Sequence, residues 1–162
     1  MAIRGNLNIV QAQRYEINMQ TVAVPSWSNN DSNYRQFGSQ TWTITPKFPQ
    51  SRFIIGLNCM VYGVTSHLYL TLKRGGTSGT WLHRANNSDQ DGIFANHSES
   101  NAEYWNAGFR WDDRPNINNT NAIVYVPYIG MWSAKTLYVG SYSNNGNATV
   151  NNMHGFIYEV AT

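Results

Sequence analysis

Charged side chains are scarce in this sequence. Asp, Glu, Lys and Arg make up 12% of its 162 residues, about half the usual share, and the formal net charge at pH 7 is +2. The Lys and Arg residues form no run, whereas recognition of a polyanion needs positive charge clustered on one face. The composition therefore argues against binding of nucleic acid.

Cysteine and long apolar runs are also nearly missing. Cys59 is the one cysteine, so no disulfide can form within the chain, and its apolar neighbours indicate a small buried side chain. No apolar run approaches the ~20 residues that a membrane-spanning helix needs, and the opening MAIRGNLNIVQAQ lacks the apolar segment of a secretion signal. We therefore expect no membrane partner, and synthesis and folding in a cytoplasm.

The sequence motifs of common enzymes do not occur. The four histidines are dispersed, and the chain contains no HExxH, GxSxG, phosphate-loop or CxxC spacing. Asp112 and Asp113 are adjacent, so we expect their side chains to point apart at a strand end and to form ion pairs with Arg110 or Arg114. The sequence therefore predicts a protein that is not an enzyme and that needs no cofactor.

One stretch, NSDQDG, resembles the start of a calcium-binding loop. It offers oxygen ligands at Asn87, Asp89 and Asp91, and a glycine, Gly92, follows them. The twelfth position is Ser98 instead of a glutamate that would supply two oxygens, and no helices are predicted on either side. A solvated turn is the favoured interpretation, and we expect no bound metal.

What the sequence does contain is period-two alternation of apolar and polar residues, with turn residues between the alternating segments. Helical periodicity is almost absent. The pattern predicts an all-β fold, a sandwich or a barrel of about ten strands that occupies residues 14–162. The predicted strands are 14–24, 40–45, 52–64, 67–74, 80–84, 92–96, 103–111, 121–129, 135–142, 148–151 and 155–161.

Glycine and proline mark irregular points within these strands. Gly56 and Gly63 predict a bulge or a bend in the long strand 52–64. Pro127 predicts that its strand is an edge strand or is broken at that position, because proline donates no hydrogen bond. The Asn145-Gly146 pair favours a hairpin turn with positive φ.

Residues 1–13 form a short N-terminal arm in this interpretation. Their apolar residues are Ile3, Leu7, Ile9 and Val10, which follow no clean period, and the composition is not that of a linker. We expect the arm to become ordered against its own domain or against a neighbour.

The chain has six tryptophans, and three of them are candidates for ligand stacking. Trp27, Trp81 and Trp132 lie near predicted turns, where an indole ring could stack on a sugar. Burial in the core or in a subunit contact is the favoured interpretation even for these three.

The second part of the chain is similar to a known group of proteins. The succession SRFIIGLNCMVYG, HLYLTLKRGGTSG, NAIVYVPYIG, KTLYVGSYSNNGNATVNN and MHGFIYEVAT resembles the small jelly-roll proteins of tailed-bacteriophage particles, over roughly residues 50 to 162. Two strands carry this resemblance. The matching residues are Leu68, Leu70, Leu72, Arg74 and Gly75 in one, and Phe156, Tyr158, Glu159 and Val160 in the other.

The resemblance implies that the fold is a two-sheet antiparallel jelly-roll sandwich of the tumour-necrosis-factor type, which forms a homotrimer. Such a protein would serve either as a cement or decoration protein on the capsid or as the receptor-binding head of a fibre. In jelly rolls of this type the terminal strand runs beside the first strand inside a sheet. Phe156, Tyr158 and Val160 are then expected to face the core, and Ile157, Glu159 and Ala161 to face a threefold neighbour.

The lack of a shaft decides between these two functions. A fibre head must stand away from the particle, yet the chain has no heptads and no long repeat upstream of the domain. The preferred hypothesis is therefore a structural virion protein that binds the major capsid protein on the outer capsid surface. Ile3, Leu7, Ile9 and Val10 of the arm would make the capsid contacts. The alternative is a trimeric fibre head that recognises host glycan, and a lectin or enzyme on the same fold also stays open.

Overall fold

The computed structural model describes residues 8–18, 20–25, 34–37, 39–64, 66–83, 93–96, 103–140 and 153–161. These residues contain no helix, and their twelve strands form two antiparallel sheets, which confirms the predicted all-β sandwich of the jelly-roll type. The strands are β1 Ile9–Glu16, β2 Gln20–Val24, β3 Arg35–Gln36, β4 Trp42–Ile44, β5 Arg52–Val64, β6 Leu68–Arg74, β7 Thr80–Trp81, β8 Phe94–Asn96, β9 Glu103–Asp113, β10 Ile123–Met131, β11 Lys135–Val139 and β12 His154–Val160.

The long strand β5 organises the first sheet. On one side it pairs with β9 along nearly its whole length, and on the other it pairs first with β12 and then, near its end, with β11. The outer strands β1 and β2 pair with β12 and β11. The terminal strand β12 therefore lies inside the sheet, between β1 and β5, as the resemblance implied.

The second sheet is built around the pair β6 and β10. The pairing extends over seven residues, with β3 and β4 on the far side of β10 and β7 and β8 on the far side of β6. Alternate side chains of the two sheets meet in one core, and each fully buried large side chain contributes about 1.5–3 kcal/mol to it. The central members are Phe53, Ile55, Leu57, Val61, Leu68, Leu70, Leu72 and Ile129.

The first strand begins earlier than the sequence indicated. Instead of one strand over 14–24, the chain forms β1 and β2, and the part of the predicted arm from Ile9 onward pairs with β12. β1 lies at the edge of its sheet and its side chains are exposed or half-buried. The apolar alternation that would reveal a strand is therefore weak in this segment.

The prediction for the faces of β12 was wrong. Ile157 and Glu159 are fully buried on the inner side, whereas Phe156 and Tyr158 lie half-exposed on the outer side. Gly155 shares the inner side, because a Cβ atom there would come within 2.2 Å of the Trp42 ring in the core. Because side chains alternate along a strand, a shift of one residue moves every side chain of β12 to the opposite face of the sheet.

Val160 and Ala161 lie at the C-terminal end of β12. Val160 is buried, as predicted for a core residue. Ala161 follows the strand and is half-exposed, and its N–H donates to the carbonyl of Asn8 at 3.1 Å. It therefore continues the pairing with the first strand and does not lie on the broad face of the sheet.

The predicted irregular points have different outcomes. Gly63 lies at a bulge, where the register between β5 and β9 shifts and φ is +95°. Gly56 lies in regular register, so no bulge forms there. Asn145-Gly146 lies outside the described residues.

Pro127 does not make β10 an edge strand. Pairing with β6 continues through it, opposite Leu72, while on the other side the neighbour changes from β4 to β3 close to this residue. The Pro127 carbonyl accepts a hydrogen bond from Phe37 on that side. The N and the C=O of a strand residue point to the same side, so the Pro127 nitrogen also faces the side of β3 and β4. It lies between the segments that pair with these two strands, where no partner needs an N–H donor.

Asp112 and Asp113 point apart, as expected for neighbours on a strand. Asp112 is half-exposed and accepts two contacts from Arg52, at 2.7 and 2.8 Å, and Arg114 lies 3.7 Å away. Asp113 is buried, and its partners belong to the other sheet. One is Arg74 at 2.6 Å, and the other is the hydroxyl of Tyr125, which donates at 2.7 Å. Burial and the Asp113 carboxylate raise the pKa of Tyr125.

Asp113 therefore ties the two sheets together, and we expect Asp113→Asn to lower the free energy of unfolding by about 3 kcal/mol. The change removes a buried carboxylate from beside Arg74 and weakens the acceptor for Tyr125. Asp112→Asn is the matched control, with an expected loss of about 0.5 kcal/mol because its ion pairs are near solvent. Urea unfolding curves of the two variants measure the difference, and equal losses would contradict the role of Asp113.

Candidate assembly surface

The outer face of the first sheet carries a group of aromatic side chains that the core does not use. The rings of Phe156 and Tyr158 on β12 stack with their centroids 4.8 Å apart, and His154 lies 6.4 Å from Phe156. Together with Ala12 and Arg14 of the neighbouring strand β1, these side chains line a shallow hollow of about 320 Å³. We call these five residues the aromatic patch.

Gly56 explains how the patch lies flat on the sheet. It pairs with Phe156 across β5 and β12, and a Cβ atom at Gly56 would come within 2.1 Å of the Phe156 ring. The ring therefore occupies the space that a side chain on β5 would fill. Ile54, opposite Tyr158, is almost completely buried although it does not belong to the core between the sheets. The outer face thus already contains an apolar centre.

Polar residues surround this centre. β1 places Arg14 and Glu16 beside the aromatic side chains, β5 places Asn58 near His154, and β9 contributes Arg110 opposite Gly56. All four polar side chains are exposed. An aromatic centre with a polar rim is the usual anatomy of a protein–protein interface.

Glu159 serves a structural purpose instead of the predicted contact with a neighbour. Its carboxylate accepts hydrogen bonds from the backbone N–H of Lys47 at 2.8 Å, the backbone N–H of Phe48 at 3.1 Å and the hydroxyl of Ser51 at 2.6 Å. The loop between β4 and β5 is thereby fixed to the last strand. This contact could not be predicted from the sequence, because the donors lie more than a hundred residues away from Glu159 in the chain.

The same corner of the sandwich exposes two large apolar side chains. Phe48, whose backbone N–H donates to Glu159, is 50% exposed, and Ile9, which pairs with Val160, is 46% exposed. We call this corner the Phe48 end. Val10 of the predicted arm is half-buried in β1, and Ile3 and Leu7 lie outside the described residues.

Trp81, a predicted stacking residue, packs on the outer face of the second sheet. The Lys73 ammonium lies 4.4 Å from its ring centroid, and Tyr34 and Tyr128 contact it with centroids 5.1 and 4.8 Å away. The indole ring is half-buried among these neighbours. Its surroundings resemble a small second core.

Trp132 lies at the opposite end of the sandwich from Phe48. It is 42% exposed, its ring meets His67 edge-on at 6.2 Å, and its backbone N–H donates to the His67 carbonyl at 3.1 Å. Trp27 and the calcium candidates Asn87, Asp89 and Asp91 lie outside the described residues.

A second hollow, which the sequence did not reveal, lies near Trp132 on the first sheet. It measures about 610 Å³, and Tyr62 of β5 and Tyr138 of β11 form one side of it, with ring centroids 6.2 Å apart. We call it the tyrosine cleft. Its lining residues are Ala23, Val24, Tyr62, Gly63, Ala134, Lys135, Thr136 and Tyr138.

Burial raises the pKa of two further titratable side chains in the described part of the chain, Cys59 and Tyr15. Burial raises the pKa of the Cys59 thiol to about 12, so it is not a nucleophile at neutral pH. Burial also raises the pKa of Tyr15 to about 12, while its hydroxyl donates to the Thr43 carbonyl at 2.6 Å. Within the described ranges no three His, Cys, Asp or Glu side chains are grouped so that they could hold a metal ion.

The same described ranges contain no helix that is long and apolar enough to cross a membrane.

Comparison with known proteins assigns no family. No family model and no curated protein matches the chain. Among solved structures, the chain is similar to a chain from the structure of infectious bursal disease virus, Gx strain, with a TM-score of 0.28 and 14% sequence identity. The similar region covers 95% of this chain and 38% of the viral one. Likeness at this level does not assign a function.

Proposed function

We propose that this protein is a structural component of a virus particle, which forms a trimer and binds the outside of a capsid. The observation that carries the proposal is the aromatic patch, a half-exposed stack of Phe156 and Tyr158 in the middle of a sheet face with a polar rim. The resemblance of the strands in the second part of the sequence to small phage-particle proteins supports the virion assignment.

We place the trimer contact on the aromatic patch because that face of the first sheet carries the half-exposed aromatic rings of Phe156 and Tyr158. Aromatic side chains bring large apolar area and lose little conformational entropy when they are fixed, so they form the energetic centres of interfaces. β12 is an inner strand of its sheet, which puts Phe156 and Tyr158 in the middle of the face. Three copies would bury these rings around a common axis.

Capsid attachment is placed at the Phe48 end. Ile9 and Phe48 are two of the large apolar side chains that stand exposed, and Glu159 and the β1–β12 pairing hold them in fixed positions. β1 begins at this end with Ile9, and the proposed contact includes Ile3 and Leu7, which precede it in the sequence. A trimer presents three such ends, so modest binding by each subunit gives strong attachment overall.

The test is co-sedimentation of the purified protein with capsids that lack it. We expect the double substitution of Ile9→Ser and Phe48→Ser to lower occupancy about tenfold at a fixed protein concentration, because each of three contacts is weakened. Both side chains are already near half-exposed, so the sandwich should keep its thermal unfolding midpoint.

Trp132→Ser is the matched control, since it removes an exposed apolar side chain from the opposite end. It should leave occupancy unchanged. The attachment proposal fails if the double variant binds capsids as the native protein does, or if Trp132→Ser lowers occupancy equally.

A further inference from the structure

The rim of the aromatic patch carries charges that have no partner within the described domain. Arg14 and Glu16 extend outward from β1, and Arg110 extends outward from β9. All three side chains are exposed, and none of the ion pairs among the described residues involves them. Asp112, on the same strand as Arg110, differs because Arg52 already contacts its carboxylate. Charged groups around the centre of an interface commonly meet the opposite charge of the partner.

Strand pairing fixes the positions of these charges on the outer face. Residues directly opposite each other on neighbouring strands point to the same side of the sheet, so three rows run across β1, β12, β5 and β9. The first row is Ala12, Tyr158, Ile54 and Asp112, the second is Arg14, Phe156, Gly56 and Arg110, and the third is Glu16, His154, Asn58 and Gly108. The strands β1 and β9 form the two borders of these rows, about 14 Å apart.

The inference that follows rests on the proposed trimer around the aromatic patch. In a trimer with a threefold axis the contact is heterologous, so one border of the face meets the other border of the next copy. β1 of one copy would then lie against β9 of its neighbour. The tilt of the strands decides how far these two strands are shifted along each other, and a shift of one row is two residues, or about 7 Å.

Three registers of β1 against β9 differ in their electrostatics. Without a shift, Arg14 would meet Arg110 of the next copy, which is repulsive. A shift of one row in one direction places both arginines opposite uncharged residues. A shift of one row in the other direction places Glu16 opposite Arg110 of the next copy. The same shift brings Arg14 opposite the half-exposed carboxylate of Asp112, so this register alone pairs opposite charges at both positions.

We infer that an ion pair between Glu16 of one copy and Arg110 of the next copy sets the register of the trimer. The guanidinium group of arginine can bind a carboxylate through two parallel hydrogen bonds, so the pair has a preferred geometry as well as an attraction. The aromatic rings supply the apolar area of the contact, and burial of apolar area is not directional. The rim charges therefore select one register, because a mismatched charge weakens the others.

The experiment is a charge swap, measured by light scattering over a series of protein concentrations. Glu16→Arg and Arg110→Glu should each raise the concentration at which half of the trimer dissociates by about thirtyfold, because each variant brings like charges together in three contacts. The protein with both substitutions should return to within about threefold of the native value, since it restores the pair with its signs exchanged. Thermal unfolding checks that each variant keeps the fold, as expected for exposed side chains.

The swap also separates the ion pair from an effect of net charge. Glu16→Arg raises the formal net charge by two and Arg110→Glu lowers it by two, whereas the swap keeps the native value of +2. An effect of net charge alone would therefore have opposite signs in the two single variants. Lys135→Glu is the matched control, because it reverses an exposed charge on β11, outside the three rows, and should dissociate as the native protein does.

Cross-linking gives a second measure that does not depend on reversed charges. In the protein with Glu16→Cys and Arg110→Cys, a short bismaleimide should join neighbouring copies into covalent trimers, which a denaturing gel detects. The reagent is too short to span the about 14 Å between the two positions within one copy. Either single cysteine variant should stay monomeric on the gel, and the native Cys59 is buried and should not react.

The outcomes distinguish this inference from the trimer proposal. A native protein that is monomeric at all concentrations refutes the trimer and the ion pair with it. If the native protein is a trimer, a swap that stays as weak as the single variants overturns the ion pair alone. The same holds if neither reversal weakens the trimer, or if Lys135→Glu weakens it equally. Restoration by the swap, together with covalent trimers from the double cysteine variant, supports the pair.

Discussion

Glu159→Ala is expected to lower the free energy of unfolding by about 4 kcal/mol. The carboxylate is fully buried and accepts hydrogen bonds from Lys47, Phe48 and Ser51. Removing it leaves the part-buried N–H groups of Lys47 and Phe48 without this acceptor, whereas the Ser51 hydroxyl keeps the Phe48 carbonyl as an acceptor at 3.0 Å. A buried donor that is left unsatisfied costs about 1–3 kcal/mol. The cavity left by the side chain adds to the loss.

Equilibrium urea unfolding, followed by tryptophan fluorescence at one protein concentration, measures this effect. Fixing the concentration matters because subunit association shifts apparent stability. Glu159→Gln should lose about half as much, since an amide keeps one acceptor oxygen but turns an NH₂ group toward a backbone donor. Glu16→Ala, an exposed glutamate on β1, is the control and should stay within about 0.5 kcal/mol of the native protein.

Labelling of Cys59 gives an independent measure of the same loss. The thiol is buried and its pKa is raised to about 12, so it reacts only when the core opens. We expect Glu159→Ala to react faster in proportion to the open population. A Glu159→Ala variant with native stability and native labelling rate would show that the loop between β4 and β5 does not depend on this carboxylate.

The central strands of the sandwich were largely readable from the sequence because they are apolar segments bounded by turn residues. The predicted strands 52–64 and 67–74 coincide closely with β5 and β6, which are buried along most of their length and provide the centre of the core. β1 was placed too late because its side chains contact little apolar surface, so its residues show no strong pattern. A strand that is held mainly by backbone hydrogen bonds needs no regular alternation of apolar and polar residues, so the sequence does not reveal it.

The faces of β12 could not be read correctly from the same pattern. Phe156 and Tyr158 are larger apolar groups than their neighbours, so alternation alone assigns them to the core. Two long-range contacts decide otherwise: the Trp42 ring requires Gly155 on the inner side, and the loop donors require Glu159 there. Neither partner is near β12 in the sequence, and only the fold brings them together.

The tyrosine cleft was missed for a similar reason. Tyr62 and Tyr138 are 76 positions apart and meet through the short pairing of β5 with β11. Each belongs to an ordinary alternating strand, so neither differs from a structural tyrosine. The stacking candidates were tryptophans because this chain has fewer of them than tyrosines, yet the ring of Trp81 packs against Lys73 and Tyr128.

Correcting the orientation of β12 moves the expected subunit contact to different residues of the same strand. The resemblance implied a trimer contact through Ile157, Glu159 and Ala161, and the first two of these are buried in the domain itself. The side chains on the outer face are instead Phe156 and Tyr158, which are aromatic and better suited to an interface. The trimer hypothesis therefore still places the contact on β12, but on the face that carries Phe156 and Tyr158.

Phe156→Ser combined with Tyr158→Ser is expected to convert the proposed trimer into monomers, as measured by light scattering on the eluted protein. Central aromatic side chains each contribute about 2 kcal/mol or more to an interface, and a trimer loses them in all three subunits. The fold should persist, because both rings lie outside the core and serine fits beside Gly56 without strain. Trp132→Ser, which removes an exposed ring from the far end, should leave the trimer intact. A native protein that is monomeric would refute the trimer, whereas a trimer that survives the double substitution would have its contact on another surface, with the aromatic patch free for a different partner.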